Sequence, residues 1–231
     1  MLNARGVDLY YGGAQALYGV DLSAPAGEVT AVLGANGVGK TSLLKALAGA
    51  HPTKAGEITL DGAALVGASA YEAARAGVGY VPQGREIFPL LTVQENLETG
   101  FACLPKDDRR VPDEVFDLFP VLAEMRNRRG GDLSGGQQQQ LAIARAMVLR
   151  PKVLLLDEPT EGIQPNIIQQ IGRVIDVLRD RGDMAIVLVE QYLDFALARA
   201  DKFIVLRRGA VTLAGETKST ESDAIREAVS V

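Results

Sequence analysis

The chain has 231 residues, 47% of them hydrophobic and 23% charged, which predicts one folded domain and excludes a disordered chain. It carries 24 Lys and Arg against 29 Asp and Glu, and the net charge of -5 argues against nucleic acid as a partner. The single cysteine excludes an internal disulfide, and no apolar run approaches the roughly 20 residues of a membrane-spanning helix. Because the start also lacks the pattern of a signal peptide, we expect a cytoplasmic protein.

The first third of the chain has the pattern of two strands at its start, followed by a third strand, a glycine-rich loop and a helix. Apolar and polar residues alternate up to Tyr11, whereas Leu43, Leu44 and Leu47 recur at helical spacing. The predicted strands cover 7–11, 17–22, 28–33, 56–61 and 78–81, and the predicted helices cover 39–49 and 70–76.

The middle of the chain loses the strand patterns. From 84 to 150 it consists of amphipathic helical segments, separated by prolines and by Gly130-Gly131. We interpret 84–150 as a helical subdomain inserted into a core that is formed by 1–83 and 151–231.

Strand and helix patterns return after Pro151. The predicted elements are strands over 153–156, 185–189, 203–206 and 210–213, a long helix over 166–181 and a short polar helix from 218. The last two strands flank Arg207-Arg208-Gly209, so we expect them to form a hairpin. The whole is predicted to be a single α/β domain with a helical insertion.

The segment Gly34-Ala35-Asn36-Gly37-Val38-Gly39-Lys40-Thr41 matches a phosphate-binding loop, and it lies between a predicted strand and a predicted helix. Glycines let backbone N–H groups turn toward phosphates, and the N-terminus of the next helix attracts anions. Lys40 supplies a charge for the β- and γ-phosphates, and the Thr41 hydroxyl can ligate Mg²⁺. The alternative is a glycine turn that only joins a strand to a helix. The residues predicted to contact a nucleotide here are Gly34, Asn36, Gly37, Gly39, Lys40, Thr41 and Ser42.

Two carboxylates follow the apolar strand predicted over 153–156. An acid at the end of a later strand is the metal partner that a phosphate loop requires, and Asp157 fits that place. Glu158 would face the γ-phosphate and can polarise an attacking water. The alternative is that both residues only cap the next turn. We predict Asp157 as a Mg²⁺ ligand and Glu158 as a catalytic residue.

A second anion-binding segment, Leu133-Ser134-Gly135-Gly136-Gln137, precedes a helix predicted over 138–149. Ser134 is a favourable N-cap, and the two glycines expose backbone N–H groups. One nucleotide does not need two such segments. Together with the phosphate loop, this pentapeptide resembles the signature set of ABC transporter ATPases, and the motifs stand in the order of that family along essentially the whole chain.

The resemblance implies a P-loop NTPase fold of ABC type, with an antiparallel β subdomain beside the helical insertion, and an enzyme that hydrolyses ATP with Mg²⁺. It implies that two such subunits, either two copies of this chain or this chain and a related one, pair head to tail, so that Ser134, Gly135, Gly136 and Gln137 contact the nucleotide on the partner's phosphate loop. It also implies two membrane-spanning permease subunits and, indirectly, a substrate-binding protein as partners, and a place at the cytoplasmic face of the cell membrane.

Two more residues are assigned by this resemblance. Tyr11 stands where the family has an aromatic ring that stacks on adenine, with core packing as the alternative for this residue alone. Gln83 stands where a glutamine links Mg²⁺ and water to the helical subdomain, although by itself it would be an ordinary loop residue. We predict Gln83 as a metal ligand and a catalytic residue.

The chain departs from the family at one catalytic position. Most members carry a His that touches the γ-phosphate, and Gln191 occupies that place here. The only His of the chain, His51, lies in the loop after the first predicted helix and cannot serve. Because Gln191 can hydrogen-bond a phosphate but cannot carry a proton, Glu158 is left as the main residue for orienting water. We count Gln191 among the predicted catalytic residues.

The sequences at 81–89 and 161–165 resemble the branch of the family that serves branched-chain amino acid and urea importers. Within this branch, Glu161-Gly162-Ile163-Gln164-Pro165 and the glutamine run at 137–140 are more similar to the urea type, whereas amino-acid members more often carry Glu at the place of Gln83. We therefore expect an importer of urea, with a branched-chain amino acid importer as the alternative.

An ABC ATPase that acts on nucleic acid or the ribosome is the alternative from another class. Such proteins carry long coiled-coil insertions or a second cassette, and this chain has neither; its arginine groups at 109–110 and 126–129 are expected to be solvated. The apolar segment Ile87-Phe88-Pro89-Leu90-Leu91 is either part of the core or a groove where a helix of a membrane subunit docks.

Overall fold

Two β-sheets carry the architecture of the protein, whose computed structural model describes residues 1–230. The strands are β1 (Leu2–Tyr11), β2 (Ala14–Ala24), β3 (Val29–Leu33), β4 (Ala55–Leu60), β5 (Ala63–Ala64), β6 (Val78–Val81), β7 (Val153–Asp157), β8 (Ala185–Val189), β9 (Lys202–Arg207) and β10 (Ala210–Glu216). The helices are α1 (Lys40–Leu47), α2 (Ala70–Ala76), α3 (Val93–Glu98), α4 (Asp113–Leu118), α5 (Pro120–Glu124), α6 (Gly135–Val148), α7 (Pro165–Asp180), α8 (Leu193–Leu197) and α9 (Ser222–Ser230).

The larger sheet has six strands in the order β10-β9-β3-β8-β7-β6. The pairs from β9 to β6 are parallel, and β10 joins β9 as an antiparallel edge. Every residue of β3, β7 and β8 is buried, as is usual for parallel strands that are covered on both faces. The smaller sheet is antiparallel, in the order β2-β1-β4-β5. The predicted α/β class with an antiparallel part is thereby confirmed.

The two faces of the larger sheet pack against different elements. On one face, the apolar side chains of α1 and of the antiparallel sheet form one buried cluster with Val187 and Val189 of β8. On the other face, the apolar sides of α6 and α7 form a second cluster with Ile186 and Leu188 of the same strand. Successive residues of β8 therefore pack into the clusters on opposite faces of the sheet, since side chains alternate along a strand.

The chain between β6 and β7 consists, in the described residues, of helices and 3₁₀ turns, with one isolated bridge between Thr92 and Arg129. Helix α6 packs against α3 and against β6. The chain leaves the sheet through Gly84, Arg85 and Glu86, all with positive φ, and returns through Arg150 at φ 50°. The 84–150 limits of a helical subdomain stay a prediction. None of the helices within residues 1–230 combines the length and the apolar character needed to cross a bilayer.

The predicted elements after Pro151 are all present, with one shift at the end of the chain. The polar helix expected from 218 begins at Ser222 as α9, after a 3₁₀ turn over Thr217–Ser219. The hydroxyls of Ser219 and Thr220 donate to the carbonyl oxygen of Glu216, at 3.2 and 3.0 Å. Such local side-chain bonds compete with helix formation, which explains the later start.

Candidate active site

Most of the predicted site residues lie at one edge of the larger sheet. The neighbours β3, β8, β7 and β6 are parallel, so their carboxyl ends meet at that edge. Gly34 follows β3, Gln83 follows β6, and Gln191 follows β8. Asp157 ends β7, and Glu158 comes next. The sheet order therefore brings together residues that are far apart in the sequence.

The phosphate loop is shaped by close contacts with neighbouring strands. Gly34 and Gly39 have φ of 143° and 108°. A Cβ on Gly34 would lie 2.4 Å from the carbonyl oxygen of Leu206, and one on Gly39 would lie 3.0 Å from that of Ala16. Gly37, by contrast, has φ 76° and no neighbour within 4 Å. The outer glycines let the loop pack on the protein, whereas the middle one leaves its open side accessible.

Lys40 is the buried cation of this loop, with 4% of its surface exposed. Its Nζ donates to the carbonyl oxygens of Gly34 and Ala35, at 2.8 and 2.9 Å. The same Nζ lies 3.6 Å from Oε1 of Glu158. The ammonium group is thus held between the loop and the carboxylate, at the start of α1, where helix N–H groups also favour an anion.

Asp157 lies next to the first turn of α1, which contains Thr41. Its carboxylate accepts hydrogen bonds from the hydroxyls of Thr41, at 3.2 Å, and Tyr80, at 3.4 Å. Burial raises the pKa of Asp157; the bond from Thr41 opposes this effect, and the charge of Glu158 adds to it. Burial, with the adjacent Asp157, also raises the pKa of Tyr80, so this residue stays a neutral donor.

The side-chain oxygen atoms of Thr41 and Asp157 are suitable ligands for Mg²⁺. The described residues 1–230 contain no cluster of three or more His, Cys, Asp or Glu that could hold a metal ion by themselves. Mg²⁺ does not require one, because it keeps several waters and usually binds one or two carboxylates together with phosphate oxygens. A hydroxyl and a carboxylate 3.2 Å apart, next to a phosphate loop, are oxygen donors of this kind.

Glu158 is the point on which the other polar side chains converge. Its backbone has φ 48°, an unfavourable value for a non-glycine residue, and its N–H donates to the carbonyl oxygen of Val189 at 2.9 Å. Its carboxylate accepts from Nε2 of Gln83 at 3.1 Å and from Nε2 of Gln191 at 3.0 Å. Since strained residues of this sort cluster at functional sites, the geometry supports a role for Glu158 in the chemistry.

The two glutamines also reach other elements. Nε2 of Gln83 donates to Oε2 of Glu161 at 3.0 Å, and Nε2 of Gln191 donates to Oδ1 of Asn36 in the phosphate loop. The loop after β8 is thereby connected to the phosphate loop, and the loop after β6 to the segment after β7. Gln83 faces carboxylates here and makes no hydrogen bond with Thr41 or Asp157 among those found in residues 1–230.

An open cavity of about 720 Å³ lies above these groups. It is lined by the predicted residues Tyr11, Asn36, Gly37, Gly39, Lys40, Thr41, Ser42, Gln83, Glu158 and Gln191. Gly34 and Asp157 lie outside its lining. An aromatic ring at the rim, a helix N-terminus and a buried ammonium are the features that a nucleoside triphosphate needs.

Tyr11 stands at the rim with 43% of its surface exposed, so it is not a core residue. Its hydroxyl donates to Oγ of Ser42 at 3.3 Å. The ring of His51 meets it edge-on, with 4.5 Å between centroids and 62° between planes. No sequence pattern connects His51 with the site, because His51 follows α1 whereas Tyr11 lies at the end of β1. The structure places it beside the exposed tyrosine.

The signature residues lie elsewhere. Ser134 caps α6: its Oγ accepts from the N–H of Gln137 at 3.4 Å, and Oε1 of Gln137 accepts from the N–H of Ser134 at 2.9 Å. Ser134, Gly135, Gly136 and Gln137 line a second cavity of about 400 Å³, next to Gly162 and the start of α7. They do not line the cavity above the phosphate loop, so one chain does not bring the two motifs together.

Glu190 is not among the residues predicted from the sequence. It is buried, and its carboxylate accepts from Oγ1 and N of Thr160, at 2.8 and 3.0 Å, and from the N–H groups of Gln191 and Tyr192, at 3.2 and 3.4 Å. Burial raises its pKa, and these hydrogen bonds oppose the effect. The carboxylate therefore joins the loops after β7 and β8. An acid directly after a buried strand, as Glu158 is after β7, is the signal that could have identified it.

Known proteins resemble the chain along most of its length. A family model described as ABC transporter matches residues 17–161. The chain is 44% identical over 214 residues to the high-affinity branched-chain amino acid transport ATP-binding protein BraG of Pseudomonas aeruginosa, covering 92% of this chain and 91% of the relative. It is 36% identical over 200 residues to the probable branched-chain amino acid transport ATP-binding protein LivF of Archaeoglobus fulgidus, covering 86% and 85%.

An iron importer subunit is also related. The Fe(3+) ions import ATP-binding protein FbpC of Mesorhizobium japonicum is 35% identical over 218 residues, which are 93% of this chain and 60% of that protein. The chain thus spans only part of this longer relative. The names of BraG and LivF favour the amino-acid alternative over the expected urea importer, and none of these three names mentions urea.

Solved structures agree with the fold. A dimeric bacterial ABC transporter cassette superposes with a TM-score of 0.84 at 25% identity, covering 95% of this chain and 100% of that one. A nucleotide-free ATP-binding cassette from an ABC transporter gives a TM-score of 0.84 at 24% identity, covering 100% and 95%. With the ABC transporter model matching well over half of its residues, the chain belongs to the ABC transporter family, as an ATP-binding subunit and an ATPase of the kind that powers transport.

Proposed function

We propose that the chain binds ATP with Mg²⁺ in the cavity above the phosphate loop and hydrolyses it to drive an importer of branched-chain amino acids. The observation that carries the catalytic part is the convergence of Gln83 and Gln191 on the strained Glu158, 3.6 Å from the buried ammonium of Lys40. The names of the relatives support the cargo.

Each end of the cavity offers different chemistry. At the rim, the exposed ring of Tyr11 supplies a flat face for adenine, held by Ser42 and His51. At the floor, Lys40 and the N–H groups at the start of α1 bind the β- and γ-phosphates. Thr41 and Asp157 would hold Mg²⁺, with Gln83 as the third predicted ligand, and the ion supplies charge neutralisation on the phosphate oxygens.

Glu158 orients the attacking water in this proposal. Its carboxylate is a hydrogen-bond acceptor next to the place of the γ-phosphate, and Gln83 and Gln191 fix its position from two sides. Gln191 donates from an amide that stays neutral at any physiological pH, so it positions Glu158 and a phosphate oxygen and transfers no proton. Proton transfer from water therefore falls to Glu158 or to the phosphate.

ABC ATPase domains work as dimers with permease subunits, and the two separate cavities of this chain fit that arrangement. We infer that Ser134, Gly135, Gly136 and Gln137 cover the nucleotide held by the phosphate loop of a second such subunit. Closure on two nucleotides would draw the helical segments together, and hydrolysis would separate them again.

The permease subunits would dock on the apolar segment after β6. Phe88 is about half exposed and Leu90 is 80% exposed, so this segment is not simply core, the alternative that the sequence left open. Arg145 of α6 stacks over the Phe88 ring at 5.4 Å, which connects the segment to the signature helix. Docking there would hold the protein at the cytoplasmic face of the membrane. A Phe88→Asp variant that still assembles with the permease would contradict this part.

Two experiments test the function. The catalytic test is Glu158→Gln, which should abolish phosphate release and retain ATP binding, beside Glu161→Gln as the matched loss of a neighbouring carboxylate, which should lower turnover by no more than a few-fold. Turnover in Glu158→Gln within tenfold of the wild type would contradict the assignment.

The cargo test measures uptake of labelled leucine and labelled urea at low external concentration, in cells without this chain and in the same cells with it restored. Loss and recovery of leucine uptake alone is the expected result. Loss of urea uptake alone would overturn the cargo and leave the ATPase assignment intact.

A further inference from the structure

The turn between β9 and β10 is attached directly to the phosphate loop. It consists of the two residues Arg208 and Gly209. The N–H of Gly209 donates to the carbonyl oxygen of Val38 in the loop at 2.9 Å, and its carbonyl oxygen accepts from the N–H of Tyr18 at 2.9 Å. The turn is thereby bonded to the loop on one side and to β2 on the other.

The turn packs too closely against its neighbours to admit a side chain at Gly209. A Cβ on Gly209 would lie 2.3 Å from the carbonyl oxygen of Ala16, and the one on Gly34 would lie 2.4 Å from that of Leu206 in β9. In both cases the nearest atom is a backbone oxygen, so a side-chain movement could not make room for a Cβ. Together with the two hydrogen bonds of Gly209, this packing places the backbone of Arg208 beside the phosphate loop.

Arg208 occupies a backbone conformation that does not suit it. Its φ is 48° and that of Gly209 is 80°, which are the positive values of a type I′ hairpin turn. Asn, Asp or Gly is favoured at the first of these positions, because an ordinary side chain is strained there. Turn formation therefore does not explain the arginine, and its side chain suggests a function.

The charges around the cavity indicate that function. Arg208 lines the same cavity as Lys40, together with the carboxylates of Glu158 and Glu161. Lys40 already contacts two carbonyl oxygens and Glu158. The side chain of Arg208, in contrast, makes no hydrogen bond or ion pair with any residue of the described range 1–230. In that range its guanidinium is unpaired on the wall of this cavity, and Lys40, the other cation of the lining, is already engaged.

We propose that Arg208 is a nucleotide-binding residue that contacts the anionic triphosphate of the bound ATP. The guanidinium group presents planar pairs of donors to phosphate oxygens and stays charged at all physiological pH values. This inference rests on the proposed ATP site, and it assigns the turn after β9 a part in ground-state binding rather than in the hydrolytic step.

The test measures the Kd of a fluorescent ATP analogue for Arg208→Asn, Arg208→Lys and the adjacent Arg207→Asn. Arg207 ends β9, is exposed and lies outside the cavity lining, so its variant loses the same charge one residue away. We expect Arg208→Asn to raise the Kd by about three- to tenfold, Arg208→Lys to raise it less, and Arg207→Asn to leave it unchanged. The penalty should shrink at high salt, and the KM for ATP should rise by a larger factor than kcat falls.

The melting temperature separates binding from a structural role. Because Asn suits the turn better than Arg, Arg208→Asn should melt at the wild-type temperature or above it. A Kd equal to that of the wild type, an equal loss in Arg207→Asn, or a fall in melting temperature that accompanies the weaker binding would overturn the proposal. If the wild-type chain itself failed to bind the analogue, the proposed ATP site would fall; wild-type binding that Arg208→Asn leaves unaltered would overturn only the present inference.

Discussion

The two cavities of the chain are built in different ways. The one above the phosphate loop is lined by side chains that come from the ends of several strands, and it contains a buried cation, two carboxylates and an aromatic rim. The one at the signature is lined by the capped N-terminus of α6 and by the start of α7, with Ser134 and several glutamines as its polar side chains. The first has groups for binding and chemistry but stays open, whereas the second offers anion-binding N–H groups without any catalytic acid.

The difference fits the proposal that neither cavity is a complete site. A helix N-terminus with two glycines can bind a phosphate, but the signature cavity, as lined by the described residues, contains no lysine to hold a triphosphate and no carboxylate to orient water. The signature is therefore expected to matter for turnover and closure, and little for the first binding step. Variants that separate binding from turnover test this division.

The largest effect is expected for Lys40→Ala. Removal of the buried ammonium leaves the loop carbonyls and Glu158 without a cation, and it removes the charge for the β- and γ-phosphates. We expect ATP binding to weaken at least about tenfold and turnover to fall at least about a hundredfold. Lys45→Ala, later in the same helix, is the control and should behave like the wild type in both assays.

A smaller effect that is confined to turnover is expected for Ser134→Ala. Loss of the N-cap should reduce ATPase activity of the assembled protein about tenfold, while the Kd for ATP of the isolated chain stays unchanged. The matched control is Ser69→Ala, which removes an equivalent capping box from α2 at a similar cost of about 1 kcal/mol in stability. Equal losses of activity in both variants would show that the cap acts on the fold alone.

Glu190→Gln tests how the loops after β7 and β8 are held. The amide can still accept a hydrogen bond from Thr160, but its NH₂ group would then face the N–H groups of Gln191 and Tyr192. We expect Gln191 to shift away from Glu158, with a several-fold lower kcat and an unchanged KM. A change in KM alone would place the effect in nucleotide binding.

The smallest effect is expected for the aromatic pair at the rim. His51→Ala removes the edge-on contact that supports Tyr11, and it should raise the KM for ATP about two- to threefold without changing kcat. His51→Phe keeps an aromatic edge and should restore the wild-type KM. Failure of the phenylalanine to restore it would mean that the ring contact is not what supports Tyr11.

Local patterns explain why much of the site could be predicted from the sequence. The glycine loop before α1 and the two acids at the end of β7 each lie within a few residues of one strand, so the sequence around them contains the whole signal. The resemblance to ABC ATPases supplied the positions of Tyr11 and Gln191, which no local pattern indicates.

Other features depend on the order of strands in the sheet and could not be predicted. Glu190 and Thr160 meet because β7 and β8 are neighbours, and Arg208 reaches the cavity because β9 lies next to β3. The contact of His51 with Tyr11 likewise joins the connection after α1 to the end of β1. A single sequence does not reveal which strands lie next to each other or which loops meet.

A mixing experiment tests most directly whether ATP is held between the phosphate loop of one subunit and the signature of another. Lys40→Ala disables the first motif, and Ser134→Arg fills the second with a bulky side chain, so each variant alone should be inactive. In an equimolar mixture, dimers that contain one copy of each variant have one intact pair of motifs. ATPase activity should then rise toward roughly a quarter of the wild-type value, because about half of the dimers are mixed and half of their sites are intact. If light scattering shows that mixed dimers form and activity stays at the mean of the separate variants, the two motifs do not act across a subunit interface.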